Sequence, residues 1–359
     1  MVTLCALTAC GSDPHDDFTG WTLPSLTKEE GISLRVPPFD VASGEEVQNC
    51  YFLPTPDLNN GQPYWINRIK MATNPGSHHL NVFRVKTIIG LDPAAGRPVD
   101  LGGDDASLPA TLVEGKEEYA TNPCWNSTNW ADWPLIANDQ ESNPEDPYFE
   151  WDLPQDQTGN NVALKMVPGE MLMIQSHFVN STDQATPFGA RIGINFERDT
   201  TTAAPTEMGT LFATQQHIRI CQSQPDVSFS GTCHLPSGPT ITAANGHFHS
   251  RGKQIDIFNW DGLTTKPPAE SQFYESTDWN EPPMSIGLDV PVPETGGVYW
   301  TCTYHWHAPS YSSCDEVNAK DPLQQNDCCY TFGGDTDIGE HCNIFVYYYP
   351  RGSSDVFCN

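Results

Sequence analysis

Proline and glycine punctuate this chain so densely that long helices are excluded. Of its 359 residues, 31 are Pro and 28 are Gly. No apolar pattern keeps a 3.6-residue period through several turns. Between the turn clusters lie short β-rich runs: Tyr64 to Met71, His79 to Ile89, Met171 to Val179, Ala190 to Phe196, Gly297 to Tyr304 and Asn343 to Tyr349. In the Met171 run, Met173, Gln175, His177 and Val179 share one face, and Leu172, Ile174 and Phe178 line the other. That alternation is the pattern of a half-buried strand. The length exceeds one ordinary core and suits two. The expected fold class is therefore all-β, with two consecutive β-sandwich, jelly-roll-like domains. Composition places an acidic, aperiodic leader at 1–31, a first sandwich at 32–197, a Thr- and Ala-rich linker at 198–206 and a second sandwich at 207–359. Asn138 to Pro147 reads as a solvated acidic loop.

Seventeen basic against 46 acidic side chains leave a formal net charge of −29. Sequence-independent nucleic-acid binding needs clustered Lys and Arg, so nucleic acid is excluded as a partner, and adhesion to anionic membrane is disfavoured for the same reason. Twelve Cys in a loop-rich chain indicate an oxidising, extracytoplasmic compartment: bacterial periplasm, cell surface or medium. Leu7-Thr8-Ala9-Cys10 looks like a bacterial lipobox, which makes Cys10 the expected lipidation site and the only expected membrane contact. The nine residues before Cys10 carry no basic side chain, unlike a complete export signal.

Histidine is the informative residue type. His78 and His79 open a strand after the turn Asn74-Pro75-Gly76-Ser77. Neighbours on a regular strand point to opposite faces, so both reach one ion only where a bulge re-aims one of them. His177 lies mid-strand, and His247-Phe248-His249 places two imidazoles on one strand face. His341 precedes Cys342 at the head of the aromatic C-terminal strand. His305-Trp306-His307 is a further H-x-H, expected to be surface or structural.

Taken together, these contexts resemble the copper type II, ascorbate-dependent monooxygenase family. Gly76-Ser77-His78-His79-Leu80-Asn81-Val82-Phe83 resembles its His-His-Met-x-x-Phe segment, and Gln175-Ser176-His177-Phe178-Val179-Asn180 its x-His-Tyr-x-Asn segment. Gly246-His247-Phe248-His249-Ser250-Arg251-Gly252-Lys253 resembles its His-Thr-His-Leu-x-Gly-Arg. Thr301-Cys302-Thr303-Tyr304, Glu340-His341-Cys342-Asn343 and Tyr347-Tyr348-Tyr349-Pro350 follow its C-terminal pattern, in the family's order, from roughly Cys50 to Cys358.

The resemblance implies two β-sandwiches with one copper on each, facing across a solvent-filled cleft. His78, His79 and His177 would hold the electron-supplying copper of the first domain. His247, His249 and His341 would hold the oxygen-activating copper of the second and form the catalytic set. The implied reaction is hydroxylation of a C–H bond of a small organic substrate, with O₂ and a reductant such as ascorbate. Imidazole suits copper, which tops the divalent affinity series.

Three departures bear on the chemistry. The family's Met ligand is replaced by His341, a harder ligand that favours Cu(II) and also suits Zn²⁺. Met208 and Met284 have no spacing that recommends them as substitutes. The peptide-hydroxylating branch has an Arg two residues before the H-x-H where this chain has Asn245, and a Tyr where this chain has Phe345, although Asn343 is kept. Asn245, Asn343 and Phe345 are thus candidate substrate contacts, for a substrate other than a peptide C-terminus. The resemblance also implies the disulfides Cys50–Cys124, Cys221–Cys358 and Cys302–Cys342. Cys233, Cys314, Cys328 and Cys329 are then left with three possible connectivities. The competing function is a non-catalytic copper-binding protein on the same scaffold.

Overall fold

A computed structural model describes residues 23–85, 133–141, 148–180, 188–201, 203–236, 238–323 and 326–359. Cys10 and Cys124 lie outside this set. The chain is all-β. The one α-helix among the described residues, Cys314–Lys320, is seven residues long. It starts at a capping box in which Ser313 and Glu316 satisfy each other's backbone amides.

The first half forms two sheets. In one, Gly31–Val41, Phe188–Arg198, Tyr64–Thr73, Val162–Met166 and Thr206–Glu207 are neighbours in that order. In the other the order is Glu46–Pro54, Met171–Val179, Ser77–Arg84, Leu135–Asp139. The second half has a five-stranded sheet ordered Ser285–Pro291, Thr240–His247, Asn343–Tyr349, Gly209–Thr214, Val356–Cys358. It also has a four-stranded sheet, Asp226–His234, Gly297–His305, Gly252–Trp260, Gln272–Ser276. All six sequence-expected runs contain strand, although 86–89, the end of one of them, lies outside the described residues. Strand pairing of the first half continues through the linker, since Thr206–Glu207 runs parallel to Val162–Ala163.

The two cores are not separate. Along Asn343–Tyr349 the residues Phe345, Tyr347 and Tyr349 join the first-half core, while Ile344, Val346 and Tyr348 pack into the second. Every residue of that strand is buried. Trp151 of the first half meets Tyr347 edge-on, with ring centroids 4.9 Å apart. Period-two alternation that is apolar on both faces makes this strand a shared wall.

Asn138–Pro147 departs from its expected solvated loop at its start. Leu135–Asp139 is a strand, and Asn138, Asp139 and Gln140 are buried. The amides of Asn138 and Gln140 meet partners from neighbouring strands, whereas Asp139 accepts from the nearby Glu141 amide and burial raises its carboxyl to about 7.

Candidate metal centre

The bulge that His78 and His79 require is present. Ser77–Arg84 pairs with Met171–Val179, with Ser77 opposite Phe178 and His79 opposite His177, and the register shifts between them at His78. His79 and His177 therefore face each other across the ladder while His78 swings out toward the second half. On that side, Thr240–His247 ends at His247, opposite Asn343. Phe248 then turns into the core and His249 follows. The chain doubles back through Gly252, whose amide donates to the His249 carbonyl at 2.8 Å. A Cβ on Gly252 would stand 1.8 Å from the Phe248 ring, so only glycine fits. His341 is placed by the Cys302–Cys342 disulfide and by Tyr304, whose hydroxyl donates to the His341 carbonyl at 2.5 Å.

These arrangements bring six histidines into one buried cluster, each 8% exposed or less. Ring centroids are 4.9 Å apart for His79–His177, 4.8 Å for His78–His247, 5.4 Å for His78–His249 and 4.5 Å for His249–His341. His79 also stands 5.1 Å from His247. Among the described residues the two sets therefore adjoin directly, rather than facing each other across the implied solvent-filled cleft. One nitrogen from each of His78, His247 and His249 lies within 4.8 Å of the other two, so His78 groups with second-half residues. The cause is the same bulge, which rotates His78 off the first-half face.

Around the cluster, hydrogen bonds select which ring nitrogen faces inward. His177 donates from Nε2 to Glu46 Oε1 at 2.6 Å, leaving Nδ1, which lies 3.2 Å from His79 Nε2. Two ligands on a tetrahedral ion with bonds near 2.05 Å stand about 3.3 Å apart, so this spacing suits a shared ion. His247 donates from Nδ1 to Gln140 Oε1 at 2.6 Å, and His249 from Nδ1 to the Gly339 carbonyl at 3.2 Å. His249 Nε2 is buried with no hydrogen-bond partner, and His78, wholly buried, meets only the Asn280 backbone. Unpaired buried polar atoms cost roughly 1–3 kcal/mol each, a cost that coordination of an ion removes. The donor set thus fits an imidazole-bound metal.

The electrostatics agree. Burial first, and neighbouring histidines second, push His78 down to about 3 and hold His79, His247 and His249 well below the ordinary range. Burial also lowers His341 to about 3. These five rings are neutral lone-pair donors at pH 7. Burial would raise the Glu46 carboxyl, but hydrogen bonds from His177 and Thr336 outweigh it and hold the group at about 2. Glu340 goes the other way, raised by burial to about 7. Its oxygens accept from the amides of His249 and Arg251 at 3.0 and 2.8 Å, fixing the H-x-H turn against His341.

A buried amide chain joins the two ligand groups. Asn81 Nδ2 lies 3.2 Å from His79 Nδ1 and donates to Gln175 at 2.9 Å. Asn138 donates to Asn81, and Asn245 to Asn138. Gln140 donates to the Gly246 carbonyl at 2.8 Å while accepting from His247. Asn245 thus bridges sheets, and Asn343 lies 2.9 Å from His341 Nδ1. Phe345 is stacked on Phe212 in the core. Glu46, Gln140 and Asn138 had no local signal, because each acts on a histidine or amide far along the chain.

Other expectations resolve as follows. His305 is half-exposed and pairs with Asp226 at 2.7 Å, while His307 contacts the Ser250 and Ala308 carbonyls, so this H-x-H stands outside the cluster. Met208 is buried in the first-half core, against which Met284 packs. Cys302–Cys342 is formed. Cys221–Cys358 is not: Cys221 pairs with Cys329, Cys358 with Cys233, and Cys314 with Cys328. Val356–Cys358 runs beside Gly209–Thr214, which carries Cys358 to Cys233 with a Cα separation of 5.8 Å. Cys50 is disulfide-bonded, and its expected partner lies outside the described residues.

No protein-family model and no curated protein matches the sequence. Among solved structures, the chain is similar to the major capsid protein P2 from bacteriophage PM2, at 10% identity and a TM-score of 0.32, covering 88% of this chain and 96% of that one. It is similar also to a chain of the broad bean stain virus structure, at 10% identity and a TM-score of 0.29 with full coverage of both. A third similarity is to a putative secreted protein from Eubacterium rectale, at 11% identity and a TM-score of 0.21, covering 86% and 71%. Likenesses this low decide nothing about the chemistry of the histidine cluster.

Proposed function

We propose that this protein is a copper-dependent monooxygenase that hydroxylates a C–H bond of a small organic substrate, using O₂ and an external reductant such as ascorbate. The observation that carries the reading is the convergence of six buried imidazoles, contributed by both halves of the chain, on one site. His78, His79, His177, His247, His249 and His341 hold the copper, two ions per chain. Copper supplies one-electron chemistry and O₂ activation when bound. The chain's own residues do the rest. Glu46, Gln140 and the Gly339 carbonyl hold the outward ring N–H groups, so that chosen nitrogens face inward. Phe332, whose ring centroid lies 4.7 Å from that of His341, limits water at that ring. Lipid anchoring at Cys10 and an extracytoplasmic location belong to the same proposal, with the disulfides in support.

The second reading, a copper-holding protein without turnover, is favoured by the depth of burial of the ligands, His249 above all. The test is O₂ consumption by copper-loaded protein with ascorbate, corrected for free copper, beside metal analysis of the isolated chain. Uptake that requires bound copper supports the enzyme. Stoichiometric copper without uptake supports the holding protein, and absence of bound copper removes both.

A further inference from the structure

The six imidazoles divide unevenly when their nitrogens, rather than their places along the chain, are followed. His79 and His177 are turned on each other, with His79 Nε2 lying 3.2 Å from His177 Nδ1. Their outer nitrogens are engaged as well, His79 Nδ1 beside Asn81 Nδ2 at 3.2 Å and His177 Nε2 on Glu46 at 2.6 Å. His78 stands differently. Beyond the register shift its ring centroid lies 4.8 Å from that of His247 and 5.4 Å from that of His249, and one nitrogen from each of the three lies within 4.8 Å of the other two. His177 is comparably near by centroid, at 5.1 Å, but meets His78 edge-on with its nitrogens turned to His79 and Glu46. His247 and His249 each spend Nδ1 on a partner, Gln140 and the Gly339 carbonyl, which leaves both Nε2 atoms for the trio.

From this juxtaposition we infer that His78, although it adjoins His79 in the chain, is a ligand of the second-half copper. One ion is held by His78, His247 and His249 with His341 beside them, and the other by His79 and His177. The inference rests on the copper reading proposed above and departs from the division that the sequence resemblance implies, in which His78 belongs with His79 and His177. Three neutral imidazoles with inward lone pairs make a donor set that copper accepts. The second-half ion then draws ligands from both halves and ties them together. The ligand shells also adjoin, since His79 lies 5.1 Å from His247 by centroid. Two Cu(II) ions on such neighbouring rings are magnetically coupled rather than independent.

The test counts copper in double variants of the full chain, loaded with Cu(II) and cleared of loose metal. Residues of one site are redundant in their loss, whereas residues of different sites add. His78→Ala with His249→Ala should therefore lose no more copper than either change alone, about one ion of two per chain, while His78→Ala with His177→Ala should lose both. The reverse pattern would overturn the inference, as would full copper content in His78→Ala. Near-UV circular dichroism identifies any variant that fails to fold, and the wild-type paramagnetic resonance spectrum needs no variant. Its spin intensity should fall below the copper content, and two full, non-interacting Cu(II) signals would also overturn the inference. Protein that follows the expected pattern but consumes no O₂ with ascorbate would sink the enzyme and leave the His78 assignment standing. Copper-dependent uptake with the reverse pattern would do the opposite.

Discussion

The two ends of the histidine cluster are built by different means. On the second-half side, His247, His249 and His341 are fixed by a disulfide, a glycine that no other residue can replace, and a buried carboxylate on two backbone amides. On the first-half side, His79 and His177 rest on side-chain contacts alone, with Asn81 and Glu46. Glu46 is itself held by the second half, accepting from Thr336 N and Oγ1 at 3.0 Å each and from the Tyr311 hydroxyl at 3.0 Å. One end is set mainly by covalent and backbone geometry, with His247 alone also tied across the halves, through Gln140. The other is completed only when the halves meet. Preorganisation and adaptability are thus divided across a single site.

Acid should expose the contrast most strongly. The folded state keeps five rings neutral, two of them down to about 3, whereas an unfolded chain protonates each near its ordinary value of about 6.5. The unfolded state then binds more protons, so the metal-free protein loses stability as pH falls below about 6.5 toward 3, by roughly 1.4 kcal/mol per pH unit for each ring. Glu340 and Asp139, both raised to about 7, act in the opposite sense between their unfolded values and 7, but are fewer. Denaturant titrations of metal-free protein from pH 7.5 to 4.5 should show this fall, and a flat profile would contradict the buried neutral cluster.

Removing the covalent brace is the next largest perturbation. Cys302→Ser with Cys342→Ser opens a crosslink between residues 40 apart and should cost roughly 3–4 kcal/mol in chemical denaturation. It should also impair metal binding at His341 before His177, which metal analysis paired with His177→Ala can resolve. Equal weakening at both ends would show that the disulfide serves general stability only.

Glu46→Gln attacks the adaptable end. Loss of the carboxylate partner should lower metal affinity about 10–100-fold, alter the Cu(II) paramagnetic resonance spectrum and lower the melting temperature, since the folded state holds this carboxyl at about 2. Glu46→Asp should recover part of the affinity. Gln140→Leu should have the smallest effect on metal affinity and cost about 1–3 kcal/mol in denaturation, since His247, Gly246 and Asn138 each lose one partner. A larger loss of metal from Gln140→Leu than from Glu46→Gln would reverse the division of labour.

Strand alternation made the fold class legible, and the His78-His79 pair stated its own condition, a bulge, which the ladder meets. The six histidines were legible from local motifs. Their merging into one cluster was not, because it depends on how sheets pack rather than on any spacing along the chain. Glu46 lies 131 residues from His177, and Gln140 lies 107 from His247. A pattern read within a window of a dozen residues has no access to such pairs. The exchange of cysteine partners has the same origin: Cys233 and Cys358 meet only because a three-residue terminal strand docks beside Gly209–Thr214.

The strand Asn343–Tyr349 has a consequence for inheritance. A domain that travels between genes must carry its own finished exterior. Here the face bearing Phe345, Tyr347 and Tyr349 is finished only by the first half. A cut anywhere in 198–206 would leave two fragments, each with a bare apolar flank and half the ligands. Neither half can be lent to another protein alone, so duplication, fusion or loss must act on the pair as one hereditary unit.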